Sequence, residues 1–399
     1  MNTKLGLVSA GTAALLLAAV DGGAMTAERR NTIMRKNGMD ADAFERYAPT
    51  IHPRVEGPVA EGVSLNVPDG LGNAELARWG VVDVTAAPFG ADASGRSDAT
   101  AAIRAAVAFA RDHQMVLFFP PGTYRISDTI ECRQQLTARG NGRLVGAPLH
   151  PCVLLGSAAP GRRSVLRLAP RSPGFTDPDK RKIVVHYTNC NAGYGGRRFE
   201  DGPLIPQANI NYNQIFADID IEIGEGNRGA IGIRMQAAEG SSIQNVTIDA
   251  THGHTGMLGA AGSGGSHHNI TIHGGRIGID TRGFPPEFTA DSTGTQPTPT
   301  LTGITLVDQT EAALVNKSRG PLVAVGWTVR SSTGAPVIRT EKSWRSAPCN
   351  SGLIMIDSRI ECEDNGKESA VIAPERGFYF RNVYVRGAHT VCGEIRGNP

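Results

Sequence analysis

A chain of 399 residues with a formal charge of +2 and 20% charged residues carries no electrostatic footprint for nucleic acid or a membrane surface. Its 49 glycines and 6% aromatic content suit tight turns between short strands better than a helical bundle. The length could hold two or three average domains, but stacked coils add residues without adding domains.

Residues 1–24 read as a secretory signal peptide. Lys4 precedes an apolar stretch from Leu5 to Val20, short for a spanning helix, and Gly22 and Ala24 offer small residues for cleavage. A retained anchor is the other reading of the same residues. Processing implies a secreted or periplasmic protein with no membrane span. Residues 25–78 mix Pro, Gly and charge with little periodicity, and read as an extended arm along a domain spanning 79–399.

From Val81 the chain becomes regular. Val82-Asp83-Val84 is a strand, and Phe89 to Asp98 is a Gly/Asp turn. Asp98 or Ser97 can cap a helix from Ala99 to Arg111, because a side-chain oxygen there accepts a free backbone N–H. Ile103, Val107 and Phe109 are expected toward one side of that helix, which would cover the open apolar end of the first coil. Val116 to Phe119 is a strand, closed by Pro120-Pro121-Gly122-Thr123-Tyr124.

Residues 160–215 read as an irregular insertion with Tyr187, Tyr194 and Tyr212, and 284–300 as a second one rich in Pro and Thr. Long insertions in a solenoid commonly wall its binding face. A disordered surface loop is the rival reading of the first.

A recurring phrase organises the rest. Asp218-Ile219-Asp220-Ile221, Asn245-Val246-Thr247-Ile248, Asn269-Ile270-Thr271-Ile272 and Gly303-Ile304-Thr305-Leu306 are each followed by a short second apolar piece. Weaker copies lie at 322–329, 353–360 and 378–385, and the last coil is expected to end near Val391. With Ile221, Val246, Ile270, Ile304, Val325, Ile356 and Val383 as equivalents, the steps are 25, 24, 34, 21, 31 and 27 residues. Strand-like pieces at that period predict an all-β fold, a right-handed parallel β-helix in which each coil buries its apolar side against its neighbours.

Cys132, Cys152, Cys190, Cys349, Cys362 and Cys392 show no metal-ligand spacing. They fit an oxidising compartment with one to three disulfides, partners undetermined.

Two resemblances follow from particular residues. Phe89-Gly90-Ala91, Gly95, Asp98, Thr100, Ala102-Ile103 and Phe119-Pro120-Pro121-Gly122-Thr123-Tyr124 resemble the N-terminal signature of the pectate-lyase-like β-helix superfamily. That superfamily includes hydrolases, lyases, epimerase-like proteins and phage tailspikes. Gly232-Ile233-Arg234-Met235-Gln236, Ser241 to Val246, Gly262-Ser263-Gly264-Gly265 and Leu353 to Ser358 are similar to the first β-helix of glycoside hydrolase family 55, the exo-β-1,3-glucanases. In that family two β-helices lie side by side, and the proton-donating acid comes from the second. The resemblance therefore implies a truncated relative, a subunit that borrows its acid from a second β-helix or oligomer partner, or a divergent enzyme with its own acid.

The narrower resemblance implies a glycoside hydrolase on a neutral β-glucan polysaccharide, with Gln236 and Ser263 holding the attacking water. An amide and a hydroxyl can each accept a hydrogen bond from that water and orient it. The rival for these two is an interior amide ladder and a small residue in a tight turn. Glu239 is the nearest in-chain acid, provided burial raises its pKa; Asp249, Asp280, Glu287 and Asp291 are weaker choices.

Other residues support alternatives. Asp218, Asp220 and Glu222 share one strand face and suit Ca²⁺ if the protein is a polysaccharide lyase on an acidic glycan, though a solvated face is the commoner meaning. Otherwise no cofactor or metal is expected. His252, His254, His267, His268 and His273 cluster in sequence, and their Gly/Ser surroundings favour turn tips over a metal. His254, His267 and Arg234 are the candidates for contacting sugar; Arg234 is also the nearest base for a lyase. Trp327, Trp344 and Tyr194 could stack on sugar rings, with core packing the rival for Trp327. A non-catalytic glycan-binding or structural β-helix is the third reading.

Overall fold

The computed structural model describes residues 28, 32, 35, 70–134, 136–138, 144–146, 150–159, 161–188, 211–235, 237–262, 264–282, 299–318, 320–332, 337–341, 352–363, 370–388 and 390–393. Their strands form a sheet of 16, a sheet of nine and a small antiparallel pair, Leu136–Ala138 with Leu144–Gly146. Every pairing within the two larger sheets is parallel, between one coil and the next, so the fold is a parallel β-helix. Each coil runs up the large sheet, bends, runs on in the same sheet, then turns into a strand of the second.

The bend explains the recurring phrase. Asp218, Asn245, Asn269, Gly303, Gly326, Asp357 and Asn382 all have positive φ, between 49° and 66°. They occupy one register position on successive coils. Only Gly, and less readily Asn and Asp, adopt this left-handed conformation at low cost. The residue opening each phrase is thus dictated by the turn, and the residue after it, Ile or Val in five of the seven, points toward the core.

This register corrects three equivalences. Val246 pairs with Ile270, and Ile270 stands level with Ile304, as expected. Ile221 instead pairs with Ile248, so Ile219 is the counterpart of Val246. Thr305 pairs with Thr328 and Thr328 with Arg359, so Trp327 and Ser358 continue the column in place of Val325 and Ile356. Strand alternation repeats every two residues, so a shift of two leaves the apolar pattern unchanged.

The core is a stack of inward side chains, among them Ile219, Val246, Ile270, Ile304 and Trp327, each at most 2% exposed. Burying a side chain of that size contributes about 1.5–3 kcal/mol. Trp327 donates its indole N–H to the Leu301 carbonyl, 2.9 Å away, so it belongs to the core and not to a sugar platform.

The helix Thr100–Asp112 covers the N-terminal end, burying Ile103, Ala106, Val107 and Ala110. Asp98 accepts the Thr100 backbone N–H at 2.8 Å, from the position before the N-cap. Phe109 departs from expectation and is 38% exposed. Two residues beyond Val107 it lies far around the helix, where it stacks on His113 with ring centres 4.0 Å apart.

Packing also begins upstream of residue 79. Leu76, in the short helix Asn73–Leu76, is buried, and the Asn73 amide ties it to the backbone of Asp83 and Ala87. The span 160–215 is less irregular than its sequence reads. Ser164–Leu168 and Lys182–Thr188 are coil strands, and Tyr187 is a core residue whose hydroxyl donates to the Ile215 carbonyl at 2.7 Å. The signal segment, most of the arm, Tyr194, Trp344, Glu287 and Asp291 lie outside the described residues.

Cys132, Cys152, Cys362 and Cys392 are free thiols, while Cys190 and Cys349 lie outside the described residues. Among the described residues no helix is long and apolar enough to cross a membrane.

Candidate functional site

Along the second sheet alternate residues point away from the core. In one register row these are His186, Arg234, Leu258, Asp280, Val315 and Arg339. Their neighbours Val185, Ile233, Met257, Ile279, Leu314 and Ile338 fill the interior. The inward positions are apolar because they face the core; the outward row is free to carry charge.

Arg234 is 1% exposed, with Nη1 3.5 Å from His186 Nε2. Burial, reinforced by the charges of Arg234 and Arg133, holds the His186 imidazole well below its ordinary pKa, so it is neutral. Farther along, Asp280 accepts the Arg282 guanidinium through both carboxylate oxygens, at 3.0 and 2.8 Å, and its backbone N–H at 2.9 Å. Burial works against the Arg282 charge, but Asp280, Glu341 and Glu311 outweigh it and raise the pKa. Glu311 bridges Arg339 at 2.7 Å and Arg276 at 3.0 Å. Burial opposes its ionisation, yet Arg339, Arg276 and Arg282 keep the carboxyl below its ordinary value.

His254 is buried beside this network, its Nδ1 2.8 Å from Thr255 Oγ1. Burial, with Arg181 and Arg276 nearby, lowers its pKa to about 4. The outer face thus carries compensated charge and two neutral imidazoles. Such groups can hold hydroxyls and anionic oxygens. The described carboxyls with displaced pKa values, Asp92, Asp98, Asp128 and Glu311, are all shifted down, away from a protonated acid.

Gln236 and Ser263 lie outside the described residues, but the turns around them are placed. The turn after Met235 and the turn after Leu258 stack one coil apart. A Cβ on Gly264 would stand 3.8 Å from Glu239 Cγ, and one on Gly265 would stand 3.1 Å from the Ala238 carbonyl oxygen. Ser266 donates its N–H to the Ser241 carbonyl at 3.1 Å, joining the two turns at their far ends. Glu239 itself is exposed, so the burial expected of an in-chain acid is missing.

The remaining candidates disperse. His267 is fully buried inside the coil, with Nδ1 3.0 Å from the Ile243 N–H and Nε2 2.8 Å from the Ala261 N–H. No ring atom is left to meet a sugar. His252, His268 and His273 are exposed on different parts of the coil, and Asp249 faces solvent on the large sheet. The strand Ile219–Ile223 and the bend at Asp218 before it do bring Asp218, Asp220 and Glu222 together, but arginines occupy them. Arg163 pairs with Asp220 at 2.8 Å and reaches Asp218 at 3.5 Å, and Arg167 pairs with Glu222 at 2.5 Å. A cation would have to displace two guanidinium groups there.

His186, Arg181, Arg282, Glu311 and Arg339 were not singled out by sequence. The signal for His186 was present: Ile183-Val184-Val185-His186-Tyr187 is a strand-like run inside a span read as irregular.

The sequence profile of the family described as rhamnogalacturonase A/epimerase, pectate lyase-like, matches residues 83–334. No curated protein matches the chain. Among solved structures, a surface adhesin of Streptococcus pneumoniae, PfbA, is 12% identical over 77% of this chain and 79% of its own, with a TM-score of 0.38. The A-module of the Azotobacter vinelandii mannuronan C-5 epimerase AlgE4 is 12% identical over 79% and 99%, with a TM-score of 0.29. The catalytic unit of a Streptomyces thermodiastaticus GH87 α-1,3-glucanase is 15% identical over 84% and 68%, with a TM-score of 0.32.

Proposed function

Because the chain belongs to the rhamnogalacturonase A/epimerase, pectate lyase-like family, we propose that it acts on a polysaccharide laid across the stacked turns that follow Met235 and Leu258. The reaction is glycoside hydrolysis of a β-glucan-type chain, with the attacking water held by Gln236 and Ser263. The observation that carries this reading is the stacking of the two turns that bracket those positions, with Glu239 beside Gly264. Successive coils repeat at about 4.8 Å, which keeps groups on adjacent turns within reach of one water. The resemblance to the first β-helix of glycoside hydrolase family 55 supports the same assignment.

Inversion needs a water on one face of the sugar and a proton donor on the other. Glu239 is the in-chain candidate if a bound sugar covers it and removes it from water. Otherwise the acid comes from an oligomer or second β-helix partner. The N-terminal residues 1–24 support secretion, which would bring the protein to an extracellular or periplasmic substrate.

A second reading is favoured by the arginines. Arg234 and Arg133 lie by neutral His186, and Arg181 and Arg276 by neutral His254, cationic surroundings that suit an acidic glycan and lyase chemistry. A polysaccharide panel read by reducing ends and ultraviolet absorbance separates the two. Hydrolysis releases reducing ends without unsaturated product; a lyase yields both. Binding with neither would leave a glycan-binding β-helix and refute the hydrolase assignment.

A further inference from the structure

We infer that His267 is a positioning residue that fixes, from inside the coil, the turn Gly259–Gly265 on which the proposed site stands. Its catalytic meaning rests on the hydrolase reading above; the fixing of the turn does not.

The argument starts from a break in pattern. The inward column Leu117, Leu154, Phe216, Ile243, His267, Leu301, Ala324, Met355 runs through eight coils in register. Seven members are apolar, and one is a fully buried histidine. An imidazole at that depth costs free energy unless its polar atoms are satisfied. The same position accepts Leu one coil later, so the coil does not need a polar group for its own packing.

The Ala261 amide supplies the reason. Its N–H lies 2.8 Å from His267 Nε2, six residues further along the chain. Ala260 and Ala261 are fully buried, so this N–H has no water to turn to. The other end of the turn is held by backbone: Gly259 donates to the Asp280 carbonyl at 2.7 Å, and Ser266 donates to the Ser241 carbonyl at 3.1 Å. His267 is the side-chain anchor between them.

The ring is also under tension between two donors. The Ile243 N–H lies 3.0 Å from Nδ1, yet a neutral imidazole has one acceptor nitrogen. Assigning Nε2 as the acceptor, at the shorter contact with Ala261, places the proton on Nδ1 and forfeits the Ile243 bond. Protonating the second nitrogen would cost the Ala261 bond as well, and burial, with His268 nearby, accordingly lowers the ring pKa to about 3.

Hydrogen–deuterium exchange of the peptide spanning residues 259–265 tests the anchor without substrate. In His267→Leu, which places at this position the side chain that Leu301 carries one coil later, exchange is expected to rise about tenfold, as for one lost hydrogen bond. In His267→Gln, whose amide oxygen can accept the Ala261 N–H, it should stay near the wild-type rate. Unchanged exchange in His267→Leu overturns the anchor. Imidazole ¹⁵N shifts of the wild-type protein give a readout that needs no variant: at about pH 5 the ring should be neutral with Nε2 unprotonated, whereas an exposed histidine is charged. A doubly protonated ring there also overturns it.

On a polysaccharide that the wild type cleaves, His267→Leu should lower kcat with KM within about twofold, and His267→Gln should restore kcat. Faster exchange with unchanged kcat would sever the anchor from the chemistry. If the wild type cleaves nothing on the panel, the hydrolase reading falls and the exchange result alone decides the anchor.

Discussion

Asn269 donates its side-chain amide to Asn245 Oδ1, 2.9 Å away and one coil earlier, while both residues hold left-handed backbone at φ 52° and 54°. Asn382 and Asp357 repeat the relationship at 2.8 Å near the C-terminal end. The side chain tolerates the bend and also ties one bend to the next. Replacing Asn269 with Ala removes the tie and leaves a Cβ in a disfavoured conformation, so a loss of about 1–2 kcal/mol is expected. Asn269→Gly, which keeps the bend but not the bond, should cost less than Ala. Thermal melts of the two variants decide this; Gly equal to or worse than Ala would contradict it.

That column shows why the fold was legible and the site much less so. The phrase Asn-Val-Thr-Ile is imposed by local backbone geometry, and each copy announces a coil. Sequence could not choose between Ile219 and Ile221, because alternate strand residues carry the same apolar signal and only pairing with Val246 and Ile248 separates them. The outer face of the second sheet was harder still. Arg276 and Arg282 flank the strand Ile277–Asp280, but Glu311 and Arg339 come from the next two coils, so the bridges from Glu311 to Arg276 and Arg339 are assembled by register, not by spacing. His267 illustrates the opposite error: a histidine beside Gly and Ser reads as a turn tip, yet strand alternation carries it inside.

Arg163 is expected to matter more than a surface ion pair. It grips Asp220 through two nitrogens, at 3.0 and 2.8 Å, and also donates to the Asn245 carbonyl at 2.6 Å, linking the carboxylate strand to the bend. Arg163→Ala should cost about 2 kcal/mol, below the value for a fully buried pair because a third of the Arg163 side chain is exposed. With guanidinium groups on Asp218, Asp220 and Glu222, a chelator should leave the wild-type melting temperature unchanged. A drop on chelation would mean that a cation competes successfully with Arg163.

The buried histidines predict acid sensitivity of a definite sign. His254 and His267 have folded pKa values of about 4 and about 3, set by burial and then by Arg181 and Arg276 for the first and His268 for the second. Glu311 and Asp280 pull His254 the other way without prevailing. The unfolded chain takes up these protons near pH 6.5, whereas the folded one does not. Their contribution is therefore complete above about pH 6.5 and is lost as pH falls toward the folded values, with a limiting slope of about 1.4 kcal/mol per pH unit for each ring. Denaturant titrations between about pH 4 and 6.5 should show this decline, and His267→Leu should remove one ring's share, about a quarter of the histidine slope, because burial also lowers His150 and His186. An unchanged slope in that variant would contradict the buried neutral ring.

The last prediction concerns the water and the acid. If Gln236 and Ser263 orient the nucleophile, Gln236→Ala and Ser263→Ala should each reduce kcat by about 10²-fold or more with KM little changed, because misplacing a reactant slows the reaction without weakening sugar binding. Glu239→Gln then separates the two sources of the proton. Glu239 is exposed, one coil below Gly264, so a sugar lying on the turn would itself provide the cover that a general acid needs. On that basis the Gln variant should lose about 10²–10⁴ in kcat, the usual contribution of a general acid. Retention of full activity would assign the acid to a partner, and activity should then depend on protein concentration or on the added partner. Full activity in all three variants would remove the stacked turns as the catalytic site, and the outer row from His186 to Arg339 would be the next place to mutate.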